Sequence, residues 1–132
     1  MRIPRLLNLC LLISFPEFAC ELDQVRYAGE SAFAAVGRTA KFDATGGDYP
    51  QDNVVELNHL HELGVYTKQT AGYFQSQSAH NHLRGNLIYN GPRSGVNWND
   101  GMGGGNTMSD SLLFNLVRET TGVSTLVRMC IC

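Results

Sequence analysis

The segment LDQVRYAGESAFAAVGR, from Leu22 to Arg38, constrains the fold of this chain most. Val25, Ala28, Ala32, Phe33 and Val36 recur at the spacing of one face of an α-helix. Asp23 stands where an N-cap is needed, and Gly37 stands where helices end. The spacing predicts one amphipathic helix, with Gly29 as its weak point. Downstream the pattern changes. Turn formers crowd DATGGDYPQDN (43–53) and mark a loop. VVEL (54–57), LGVYT (63–67), AGYFQSQS (71–78) and NLIYNG (86–91) read as short strands. The glycine-rich run 91–107 predicts a long loop of the kind that carries binding or catalysis. SLLFNL (111–116) and GVSTLVRM (122–129) read as paired strands around a turn. No internal repeat and no linker is evident. One helix followed by antiparallel strands predicts an α+β domain, its N-terminal helix packed on a central antiparallel β-sheet.

With 132 residues, 43% hydrophobic and 17% charged, the chain suits one globular domain. Its start differs from the rest. Arg2 and Arg5 precede LLNLCLLISF, and Ala19 offers a small residue for cleavage, which together predict a signal peptide over 1–19. The apolar stretch is too short for a membrane span. The expectation is a secreted, monomeric domain over 20–132 with no membrane partner. Arg2, Arg5 and Glu17 leave with the leader, so the remainder carries 8 basic and 11 acidic side chains, formally −3. That balance disfavours sequence-independent nucleic-acid binding, although a local site could still take a short RNA. A secreted setting permits a disulfide between the ends, Cys20 with Cys130, and Cys132 competes for the same partner. Closing so long a loop would add about 4–5 kcal/mol on the chain-entropy model.

The closing hairpin carries a resemblance. Residues 110–115 read Asp-Ser-Leu-Leu-Phe-Asn, followed after six residues by Gly122-Val123-Ser124-Thr125, and GGGNTMS precedes them. This resembles the core hairpin of the small guanyl-specific fungal ribonucleases, where a Gly-Gly loop leads to Asp-Arg-Val-Val-Phe-Asn and then Gly-Val-x-Thr-His. Asp48-Tyr49-Pro50-Gln51 resembles their Tyr-Pro-His turn, and HLRGNLIYNG (82–91) occupies the place of their Glu-bearing strand. The resemblance implies a microbial ribonuclease-like fold without its chemistry. Cleaving RNA through the 2′-hydroxyl needs a base, an acid and a cation for the phosphate. At the corresponding positions stand Gln51, Arg84 or Gly85, Ser111 and Leu126. Signal peptide, small domain and missing catalytic groups together resemble the ribonuclease-like secreted effectors of powdery mildew fungi. That resemblance implies a catalytically inactive virulence protein, without cofactor, that binds host plant proteins and/or host RNA and reaches the host cell. One departure from those effectors is the lack of their Tyr-x-Cys start, since Tyr27-Ala28-Gly29 does not match it.

The residues themselves offer rivals. His59 and His61, and His80 and His82, form two His-x-His pairs, and on a strand such pairs share a face. Two paired strands could present all four to one metal ion, with Glu62 nearby, or supply a relocated acid and base for an active ribonuclease with Arg84 on phosphate. The plainer alternative is polar positions on a half-exposed sheet. Arg84 and Arg93 could contact phosphate, and Tyr49, Tyr89 and Trp98 could stack on bases or meet a partner.

Overall fold

A five-residue rule organises the chain. The computed structural model describes residues 10–13, 19–21, 23–38, 49–99, 104–117 and 129–130. Within it, Asp52, Leu57 and Glu62, then His80, Gly85 and Asn90, then Gly105, Asp110 and Asn115 all have φ between 49° and 70°. A residue in this left-handed region turns the chain through a corner and cannot lie inside a strand. Three strand residues separate the successive corners of each set.

The strands are β1 (Cys10–Ile13), β2 (Ala19–Glu21), β3 (Gln24–Arg26), β4 (Phe33–Val36), β5 (Val54–Glu56), β6 (His59–His61) and β7 (Ala71–Ser76). They continue as β8 (His82–Arg84), β9 (Leu87–Tyr89), β10 (Ser94–Asn99), β11 (Thr107–Ser109), β12 (Leu112–Phe114) and β13 (Met129–Cys130). They assemble into sheet A (β1-β4-β7-β10), sheet B (β2-β5-β8-β11) and sheet C (β3-β6-β9-β12-β13). Every pairing is parallel except that of β13 with β12. The chain visits B, C and A in turn and repeats, so it coils as a parallel β-solenoid.

Alternation along each short strand sends its middle residue inward. Cys20, Val55, Leu83 and Met108 are in register along sheet B, and Val25, Leu60, Ile88 and Leu113 along sheet C. Phe33, Tyr73 and Val96 line up on sheet A. These columns form one core, in which Leu60 and Tyr73 are fully enclosed. Each large apolar side chain so buried contributes about 1.5–3 kcal/mol.

Corners leave backbone N–H groups pointing along the solenoid, and buried amide side chains satisfy them. Asn53 N and Nδ2 donate to Asn81 Oδ1 at 3.2 and 2.7 Å, and Asn81 N donates to Asn106 Oδ1 at 3.0 Å. At the next corner Asp23 N donates to Asn58 Oδ1, Asn58 N to Asn86 Oδ1 and Asn86 N to Ser111 Oγ, at 3.0–3.1 Å. A third ladder on the half-buried side joins Glu62, Asn90 and Asn115.

The α+β expectation is overturned: the described residues contain no helix, and the sheets are parallel. Residues 24–26 form β3 and 33–36 form β4, with Val25 inward between exposed Gln24 and Arg26. Ala28 and Ala32 line the bend between the two strands, and that bend produced the helix-like spacing. Asp23, expected as an N-cap, is a ladder member. An internal repeat also exists, against expectation: NVVELNHLHE, NHLRGNLIYN and NTMSDSLLFN are equivalent turns.

Other boundaries shift as well. LGVYT is a loop whose Val65, Tyr66 and Thr67 N–H groups donate to Ala28 O and Gly29 O. The expected 91–107 loop contains the six-residue strand β10. β13 does run antiparallel to β12, pairing Cys130 with Leu112 and Met129 with Leu113, while 122–128 lie outside the described residues. Most of 43–53 lies outside them too. Residues 10–13, within the expected leader, form β1 along β4.

Candidate functional site

Outward positions on sheet B are chemically richer than their neighbours. With Val55, Leu83 and Met108 turned in, the strands present Val54 and Glu56, His82 and Arg84, and Thr107 and Ser109. The register makes two rows along the solenoid axis, Ala19–Val54–His82–Thr107 and Glu21–Glu56–Arg84–Ser109. From Val54 to Thr107 and from Glu56 to Ser109 these rows line a groove of about 490 Å³. Three strands at about 4.8 Å spacing give it a length of about 10 Å.

Within the groove the polar groups are ordered by one another. His82 Nδ1 lies 2.8 Å from Thr107 Oγ1, which fixes the exposed ring. Arg84 pairs with Glu56 through Nη2 and Oε2. The guanidinium side chain is 64% exposed and the carboxylate side chain 18%, so the arginine remains open to a ligand while the glutamate anchors it. Such a solvent-facing pair contributes about 0.2–1 kcal/mol, little enough for a ligand to compete for its donors.

Beneath the groove the corners are fixed by close packing. Gly105 has φ +70°, and a Cβ there would meet His80 Nδ1 at 2.2 Å. The glycine lets the chain enter β11 directly over the preceding turn, which places Thr107 beside His82.

Sheet C carries a second cluster. His61 stacks on Tyr89 with centroids 5.1 Å apart, and Tyr89 stacks on Phe114 at 4.8 Å. His59 lies 4.5 Å from His61, and its Nε2 is 2.9 Å from the Tyr89 hydroxyl. His61 Nε2 faces the other way, 2.9 Å from Gln24 Nε2 on β3. Burial holds the His61 pKa below its ordinary 6.5; His59 and Arg26 act in the same direction, and Glu62 opposes them.

The expected site residues therefore disperse. His59 and His61 are on sheet C, His82 is on sheet B, and His80 sits at the corner before it. The two sheet C imidazoles aim Nε2 at opposite neighbours, so they do not converge on one ion. Among the described residues no three His, Cys, Asp or Glu side chains gather to hold a metal. Arg84 is in the groove, Tyr89 in the ring stack, Arg93 exposed in the turn before β10, and Trp98 45% exposed on β10. Tyr49 is half-buried, and Gln51 bridges Ala79 at a corner.

Gly85 is a corner residue, and Ser111 is a buried ladder hydroxyl that donates to Ser109 O at 2.9 Å. Leu126 lies outside the described residues. Cys20 and Cys130 are not brought together. Cys20 is in β2 at one edge of sheet B, and Cys130 is in β13 at the far edge of sheet C. Cys20 Sγ instead approaches Asp23 Oδ2 at 3.3 Å.

Glu56, Thr107 and Ser109 escaped the sequence reading. The signal that would have found them is the shared register of the NVVE, NHLR and NTMS segments. Comparison with protein families, characterised proteins and solved structures finds no match, so the groove itself is the ground on which function is argued.

Proposed function

We propose that this protein is a binding protein rather than an enzyme, and that the groove on sheet B takes up an extended neutral saccharide. The observation that carries it is the mixed floor of the groove: the imidazole and guanidinium of β8 lie between the carboxylate Glu56 on β5 and the hydroxyls Thr107 and Ser109 on β11. A sugar hydroxyl donates and accepts at once, so it suits a surface that offers both. Glu21 and Glu56 in the same row as Arg84 work against a polyphosphate, which needs several unopposed cations. The strand spacing is close to the length of one pyranose ring, so successive turns can address successive sugars. Secretion, which the leader-like residues 1–19 support, would bring the protein to such polymers.

A second reading has one observation behind it. Glu56, His82 and Arg84 share the groove, and they are the carboxylate, imidazole and cation that RNA cleavage requires. Against it, Glu56 is held by Arg84 and His82 by Thr107. Amide-resolved NMR titration with a panel of neutral oligosaccharides and with a short single-stranded RNA separates the two. The saccharide reading expects shifts confined to β5, β8 and β11 with one sugar class. It also expects binding at least about tenfold weaker in Arg84→Ala, a loss of about 1.4 kcal/mol. Silence across the sugar panel, or RNA cleavage abolished by His82→Ala, would sink it.

A further inference from the structure

We propose that the ring stack on sheet C is an acid-sensitive latch that holds the first turn of the solenoid to the second. β3 is the edge strand of sheet C, and its outer side chains Gln24 and Arg26 face His59 and His61 across one parallel pairing. The amide of Gln24 donates to His61 Nε2, which requires a neutral ring carrying its proton on Nδ1. His61 stacks on Tyr89 with His59 against both rings, and Tyr89 rests on Phe114, so the latch is seated on the next two turns.

Protonating His61 turns its Nε2 into a donor aimed at a donor. A flip of the Gln24 amide would restore that bond but not remove the new charge. Arg26 faces that charge from β3 and His59 lies beside it on β6, both unfavourable. Among the described residues Glu62 is the carboxylate that opposes them, and it is engaged by Asn90, while β9 contributes Tyr89 and β12 contributes Phe114. The balance opposes the cation in the closed turn and favours it in an opened one.

Sign follows from linkage. A histidine whose folded pKa is lowered binds fewer protons folded than open, so closure weakens as pH falls below the open-state value of 6.5. The opening constant grows by at most about tenfold per pH unit until the lowered value is reached.

Amide hydrogen exchange, corrected for intrinsic rates, tests this at about pH 7.5 and about pH 5, on either side of an imidazole titration. The expected result is a rise in opening of the β3 amides at acid pH, with the β8 and β9 amides unchanged. His61→Phe keeps the stack but cannot titrate, and it should flatten the difference. Equal β3 opening at both pH values in the wild type, or a pH difference that survives His61→Phe, would overturn the latch. Should His61→Phe fail to fold, His61→Gln decides: a flat profile supports the latch, and an unchanged pH difference removes it.

Discussion

Asn86 shows how much a single polar side chain holds in this molecule. Its Oδ1 accepts from Asn58 N, its Nδ2 donates to Val55 O at 2.8 Å, and the side chain is enclosed. Replacing it with alanine strands a donor and an acceptor where water cannot reach. Asn86→Ala should cost about 1–3 kcal/mol for each group left unsatisfied, seen as a lower urea midpoint. At this scale the sequence was legible in part. Arg84 reads as a phosphate contact and is exposed, and the His-x-His spacing places His59 and His61 on one face of β6, whereas His80 lies at the corner before β8. What the residues could not disclose was their partner across the sheet. Glu56 and Arg84 are 28 positions apart, and only the register joins them.

Strands of three residues are the working elements here, and they are too short to announce themselves. HLH and HLR bury only their middle residue and TMS buries its own only in part, so local hydrophobicity is weak, and the corners between them look like loops. The segment 22–38 misled for a related reason. Its two strands and the bend between them place apolar residues three and four apart by coincidence, and an isolated helix of that length is marginal without packing. β1 gives this scale its test. A chain beginning at Cys20 lacks β1 but keeps the columns that start at Cys20, Val25 and Phe33. It should fold with the same β-type circular dichroism, while the amides of β4, now at an edge, lose exchange protection. Loss of the whole β signal would mean that the turn formed by β1 is essential to the coil. Intact mass of the exported protein would show in parallel whether residues 1–19 are removed.

The molecule as a whole is a stack whose period was hidden by unequal excursions. Turns recur after 28 residues between β5 and β8 but after 25 between β8 and β11, so no fixed spacing marks the repeat. Only the units around the two tight corners are regular, and their asparagines could have been lined up from the sequence. The shared interior ties global stability to its largest member. Tyr73 is fully enclosed, and burial holds its phenol well above the ordinary 10.0. The folded state therefore keeps a proton that the unfolded chain releases, so stability should fall as pH rises above 10.0. Tyr73→Phe should blunt that alkaline loss in urea titrations, at the cost of the 3.4 Å bond to Gln75.

The asparagine ladders carry one further consequence. At Asn58, Asn81 and Asn86 alike the side-chain oxygen accepts from the turn before and the backbone N–H donates to the turn after, so nothing in the ladder counts how many turns there are. The coil is thus open-ended in kind: tandem copying of one 25-residue turn would lengthen the groove by a strand without altering any existing contact within it. A gene for such a protein can change the reach of its binding surface by duplication alone, before any point substitution refines it.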